Sequence, residues 1–296
     1  MNLMLPKIDF AFKLLFGDQR SKNILADFLK AVLPGLADEE FEELTITDPQ
    51  LKREFSGDKL EILDVKLRTG SGRSLDIEIQ VSDIPEMRSR ISYYLSNMVT
   101  EQIGRGEHYT DLKQAVSIVI TDYDFIPESA RCHTVFQMLE KEEHFPFNDL
   151  MEIHVLNLER LPPDGEGRLI DWLRFLKAET EEEFKMIAEK NPMIHEAYCK
   201  LQVMSEDEAN RMIYEARLKT QRDDYSRMNG AHQRGLQEGI EKGREEGREE
   251  GQKEGELRAT RKIILEMGKK GLDVKTIAAV TQVSEQHIND ILKEKI

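Results

Sequence analysis

The apolar positions change period twice along the first third of the chain. In "DFAFKLLFG" (residues 9–17) they cluster at helical spacing and Gly17 stops the run. "SKNILADFLKAVLPG" predicts an amphipathic helix capped by Ser21 and ending near Pro34. The period then shortens. "EELTITD" and "QLKREF" read as extended, with a break at Pro49. "EILDVKLR" (61–68) and "SLDIEIQVS" (74–82) alternate apolar with polar residues, the signature of strands, and the connector "TGSG" makes the pair a hairpin. "PEMRSRISYYLSNMVTEQIGRG" returns to a helical period. "AVSIVITDY" is a continuous apolar run, as expected of a strand covered on both faces, and "MEIHVLNL" predicts one more strand.

From about residue 166 the strand signals vanish. The remainder of the chain reads as helical, punctuated at Asn191-Pro192, and its last stretch divides into two short helices with Asp273 and Ser284 as N-caps. The pattern predicts an α/β domain over 1–160, a helical region over 161–232, a glycine-rich charged spacer over 233–257 and a small helix-turn-helix-like tail over 258–296.

Composition narrows this little. Of 296 residues, 33% are charged and 39% hydrophobic, which suits a globular part plus a solvated helical part. No apolar run is long enough to cross a membrane and no signal-peptide pattern opens the chain. Two cysteines, Cys132 and Cys199, form no disulfide framework, so the expected location is the cytoplasm. No phosphate-binding GxxxxGK[ST] loop occurs, so no nucleotide cofactor is expected. Cys132-His133, His144 and His154 lack zinc-ligand spacing, and the lone Trp172 reads as core. The net charge of -15 argues mildly against indiscriminate nucleic-acid binding, but acid and base roughly balance between Lys52 and Arg90, and the excess acid lies in "ETEEEF", "SEDE" and the glycine repeat.

The hairpin carries the candidate chemistry. Asp76, Glu78 and Gln80 share one face of their strand, and Ile62, Asp64 and Lys66 one face of theirs. A loop of residues 69–73 sets Asp64 opposite Glu78 and Lys66 opposite Asp76. Facing carboxylates repel unless positive charge lies between them, and a hard cation such as Mg²⁺ supplies it through oxygen ligands. The plainer account of the same alternation is a solvated sheet face.

Asp64, a short hairpin, Glu78-Ile79-Gln80 and the helix "RISYYLSNMVTEQIGRGEHY" resemble the core of the PD-(D/E)xK nucleases. More closely, the chain is similar to the Rpn family of recombination-promoting nucleases, also described as transposases of that superfamily. The opening "DFAFKLLFG", "WLRFL", the glycine repeat and "IAAVTQVSEQHI" extend the likeness over nearly all of it. The resemblance implies a restriction-endonuclease-like core, a mixed sheet flanked by helices, followed by an all-helical C-terminal region. It implies metal-dependent cleavage of DNA phosphodiesters, serving recombination or transposition. Asp64 and Glu78 take the motif's two acidic positions and, with a backbone carbonyl near Ile79, hold Mg²⁺, Mn²⁺ or Ca²⁺. Gln80 stands where the wider superfamily has lysine; an amide only hydrogen-bonds, so the metal does more to generate hydroxide. Lys66 either supplies the missing positive charge or pairs with Asp76. Asp9 and Lys13 match the family's N-terminal motif, as an intrahelical ion pair or beside the metal. Arg90 and Tyr94, one turn apart, are placed to meet a phosphate, with the facing of Tyr93 and Tyr94 open. The rival reading is a catalytically inactive DNA-binding or assembly protein that keeps the fold, and RNA as substrate is a third.

Glycines at 235, 239, 243, 247, 251 and 255 recur through an otherwise charged helix. Each costs about 1 kcal/mol relative to alanine, and i,i+4 pairs return only about 0.2–0.5 kcal/mol each. A helical spacer open to self-association is favoured over a flexible linker. The second helix of the tail offers Gln286, His287, Asn289 and Lys293 beside Glu285, Asp290 and Glu294, which is not a basic recognition face. Assembly through the tail is therefore as well supported as DNA reading.

Overall fold

The alternation over 65–80 folds as the hairpin it predicts. The structure, a computed structural model, describes residues 3–36, 65–83 and 85–293. The extended segments expected before the hairpin, and Asp64 with them, lie outside the described residues. β1 (Val65–Arg68) and β2 (Ser74–Gln80) pair antiparallel, with Val65 opposite Ile77 and Lys66 opposite Asp76. The turn between them closes through a hydrogen bond from the Gly72 amide to the Thr69 carbonyl and needs φ of +88° at Gly72, a conformation open to glycine.

β2 then pairs parallel with β3 (Ala115–Thr121), which pairs parallel with β5 (Met151–Asn157), and β4 (His133–Gln137) adds antiparallel beyond β5. The order is β1-β2-β3-β5-β4, a mixed sheet. All seven residues of β3 are buried, as its continuous apolar run predicts. The sequence pattern does not predict β4. It is five residues long, pairs only with β5 among the described strands and leaves Val135 and Phe136 exposed, so it carries no clear alternation.

Helices cover both faces. α1 (Asp9–Phe16), α2 (Lys22–Val32), α4 (Arg168–Lys177), α5 (Glu181–Ala188) and α6 (Pro192–Glu206) share one core with Val65, Leu67, Leu75, Ile77, Ile79, Ile118 and Ile120. α3 (Met87–Thr100) covers the other face, with Met87 and Ile91 against Val119 and Val155 and Leu95 and Met98 against Ala115.

In the larger core Trp172 is fully buried between Phe16, Phe28 and Phe175, and its indole N–H donates to the Asp27 carboxylate at 2.8 Å. Arg168 donates to the same carboxylate, so one buried acid ties α2 to α4. Ser21 precedes α2 as predicted but does not cap it: its hydroxyl is taken by the Lys200 ammonium of α6. Asn191, Asp273 and Ser284 do cap the helices after them.

Two compact units divide the chain at residues 222 and 223. The glycine repeat is helical within α7 (Glu208–Lys269). In the second unit the end of α7, α8 (Val274–Thr281) and α9 (Glu285–Lys293) bury Ile264, Ile277 and Ile288 together. None of the described helices is long and apolar enough to cross a membrane.

Candidate active site

Asp76 and Glu78 are 3% and 4% exposed, so the polar face of β2 is not the solvated sheet face that alternation alone allows. α3 packs on this side of the sheet against Val119 and Val155 of the neighbouring strands and reaches β2 through Arg90. A carboxylate in such a place needs a charged partner. Arg90, in the first turns of α3, donates to Glu78 Oε1 at 3.0 Å. Its guanidinium also lies 5.5 Å from the centre of the Tyr94 ring one turn on, within cation–π range. Tyr93 is 64% exposed and meets Tyr94 edge-on, so Tyr94 is the tyrosine that faces Arg90.

Parallel pairing then builds a second feature. On the last rung of β2, β3 and β5 the partners are Gln80, Thr121 and Asn157, a polar row on the same face as Glu78. The Gln80 amide donates to the Ser82 carbonyl at 3.0 Å. Thr121 and Asn157 are fully or almost fully buried. Asn157 Oδ1 accepts from the Glu159 amide. Just past β3, the Tyr123 ring is held by an edge-on contact with Phe125 and by the Met87, Ile91 and Val119 cluster. Burial first, then the charges of Asp83 and Glu78, push the Tyr123 phenol well above its usual range against the opposing effect of Arg90, so it stays a proton donor. Four buried atoms here have no hydrogen-bond partner among the described residues: Arg90 Nε, Thr121 Oγ1, Tyr123 Oη and Asn157 Nδ2.

The structure thus brings Glu78, Gln80, Arg90 and Tyr94 to one face of the sheet. Lys66 is half-buried, opposite Asp76 on β1. The Ile79 side chain points away into the larger core, leaving its backbone to serve any ligand. Asp9 and Lys13 stand in the first and last turns of α1, the helix packed on the opposite face of the sheet. The sequence pattern does not single out Thr121, Tyr123 and Asn157. The available signal is a polar residue ending each of the runs "AVSIVIT" and "MEIHVLN".

The histidines noted for zinc form a different arrangement. His133 Nε2 and His154 Nδ1 are 2.8 Å apart, and His154 Nε2 lies 2.7 Å from Glu152 Oε1. Gln114 and Gln137 donate to the other Glu152 oxygen. His144 takes φ of +60° in a turn. Burial, with the neighbouring His154, lowers the His133 pKa to about 4, and burial lowers that of His154. Because the unfolded His133 takes up a proton near pH 6.5 and the folded one does not, its contribution to stability is constant above that pH and falls as pH drops from 6.5 toward 4. After allowing for solvent screening the loss is about 2 kcal/mol. Urea unfolding followed by Trp172 fluorescence at pH 7.5 and pH 5 checks this: wild type loses more stability than His133→Gln, and equal losses would count against it.

A family model described as PD-(D/E)XK nuclease family transposase matches residues 6–231. No curated protein and no solved structure matches the chain.

Proposed function

Because the chain belongs to the PD-(D/E)XK nuclease family of transposases, we propose that it is a divalent-metal-dependent endonuclease that hydrolyses DNA phosphodiesters, with Asp64, Glu78 and Gln80 as its catalytic set, and that it promotes recombination or transposition. The observation that carries the reading is a carboxylate, Glu78, buried on a strand whose rungs with β1 run Arg68–Ser74 to Val65–Ile77. Asp64 lies outside the described residues, and its place opposite Glu78 is the expectation of the sequence register.

Among the described residues no three His, Cys, Asp or Glu side chains gather into a metal group. Glu78 fits a hard cation in ligand type, and in this proposal Asp64 and the Ile79 carbonyl complete an all-oxygen set suited to Mg²⁺, Mn²⁺ or Ca²⁺. When bound, such an ion supplies water of lowered pKa and stabilises charge on the phosphate. Gln80 orients the attacking water or a phosphate oxygen but cannot take its proton, since an amide has no basic site near neutral pH. Arg90 and Tyr94 receive the strand: Arg90 presents a fixed cation beside Glu78, and Tyr94 supports it from below. Lys66 adds positive charge at the edge of this face, and Asp9 and Lys13 reach substrate only around the strand ends. The open glycine face of α7, where an added Cβ would meet nothing within 4 Å, supports a homo-oligomer formed there or through the tail.

One observation favours the second reading, a catalytically inactive DNA-binding or assembly protein. Arg90 already neutralises Glu78, so the buried carboxylate is accounted for with no metal. Supercoiled plasmid decides between them: the endonuclease nicks it with Mg²⁺ or Mn²⁺ and stops with EDTA, whereas intact plasmid under every metal leaves the inactive protein. An RNA transcript in the same assay identifies the nucleic acid.

A further inference from the structure

We propose that the last rung of β2, β3 and β5 is a phosphate-binding subsite for the nucleic-acid strand, with the Thr121 hydroxyl, the Tyr123 phenol and the Arg90 Nε–H as its donors. The inference rests on the nuclease reading of Glu78 and names the groups that hold the substrate beside it.

The chemistry of the unpartnered atoms carries it. Folded chains rarely leave buried polar atoms unpaired, because each forfeits its hydration without return. Here Arg90 Nε, Thr121 Oγ1, Tyr123 Oη and Asn157 Nδ2 are all buried and unpartnered among the described residues, and every one can donate a proton. Their neighbours on the same residues are already used: Arg90 through its other nitrogen on Glu78, Asn157 through its oxygen on the Glu159 amide. The guanidinium and amide nitrogens offer a cation no ligand, and the two hydroxyls can donate as well as accept. An anion with several acceptor oxygens satisfies them at once.

Placement agrees. Thr121 and Asn157 are register partners, flanked by Gln80, on the face that carries Glu78. This row lies at the carboxyl ends of the three parallel strands, where open α/β sheets receive ligands. The Tyr123 ring is fixed by Phe125 and the α3 cluster, so its hydroxyl is pre-positioned and loses little freedom on binding. Glu78 and Asp83 nearby oppose an anion, so the subsite is expected to fill only when a divalent cation is also present.

Hydroxyls that serve the folded chain and hydroxyls kept for a ligand respond oppositely to removal. Thr121→Val and Tyr123→Phe delete only the unpartnered groups and keep the shape of the side chains. The double variant is therefore expected to melt no lower than wild type, while its affinity for a short fluorescein-labelled DNA duplex in Ca²⁺ falls about tenfold or more. Cleavage by the variant in Mg²⁺ falls with it. Unchanged affinity, or no measurable binding by wild type, overturns the subsite. So does a large drop in melting temperature, which would make the hydroxyls structural. Should wild type bind DNA without cleaving it, the nuclease reading fails alone, and the binding difference still decides the subsite.

Discussion

Glu78→Gln is expected to lower the rate of the proposed DNA cleavage by at least about a thousandfold while leaving the protein folded. The substitution keeps the length and shape of the side chain and removes only its charge. Glu78 sits on a central strand at 4% exposure, so no other carboxylate of the described β2 face can swing into its place; Asp76 lies two residues away on the same face but opposite Lys66. An amide binds hard cations poorly, and the proposed ligand set loses half its negative charge. The structural cost is modest, because the Arg90 side chain is 21% exposed and can reach water. Plasmid nicking in Mg²⁺, run beside a melting curve, reads both effects. A variant that nicks within tenfold of wild type would remove Glu78 from the chemistry.

Asp27→Leu is expected to destabilise the first unit by about 3 kcal/mol, a large share of a typical domain's total. Leucine has the same branched arrangement of heavy atoms and a larger volume, so it leaves no cavity and the loss is chiefly that of the polar contacts. The Trp172 indole, fully buried, loses its acceptor, and with it the charge-assisted bond at 2.8 Å. Arg168 loses its partner too, but its side chain is half exposed and rehydrates. Asp27→Asn keeps an oxygen for the indole and costs about 1 kcal/mol. The single tryptophan is itself the probe, so urea unfolding followed by fluorescence reports this unit directly. A leucine variant within about 1 kcal/mol of wild type would show that the aromatic core holds α2 and α4 without the acid.

How much the sequence discloses depends on how local each feature is. The hairpin register is legible because alternation and a short turn fix it within a few residues, and Lys66 does stand opposite Asp76. α3 and the buried β3 are legible from period and apolar run. The helical state of the glycine repeat is favoured but not fixed, since propensity and ion pairs point in opposite directions. The rest depends on pairings between distant segments. Arg90 stands out in the sequence as a phosphate contact one turn from Tyr94, but its pairing with Glu78 emerges only when α3 packs on that face of the sheet. Thr121 and Asn157 read as strand-end polar residues until parallel pairing sets them side by side. Asp27 looks like an exposed helical acid, and only the return of α4 buries it. β4 escapes notice for a related reason: an edge strand that faces solvent needs no pattern of its own.

Glu78 and Asp64 are proposed to act as one metal-binding pair. The most direct test is the nicking of supercoiled plasmid in Mg²⁺ by wild type and Asp64→Ala, with a melting curve for each. Nicking by wild type, abolished by Asp64→Ala at unchanged melting temperature, is the predicted result. Equal nicking by the two proteins would contradict the account.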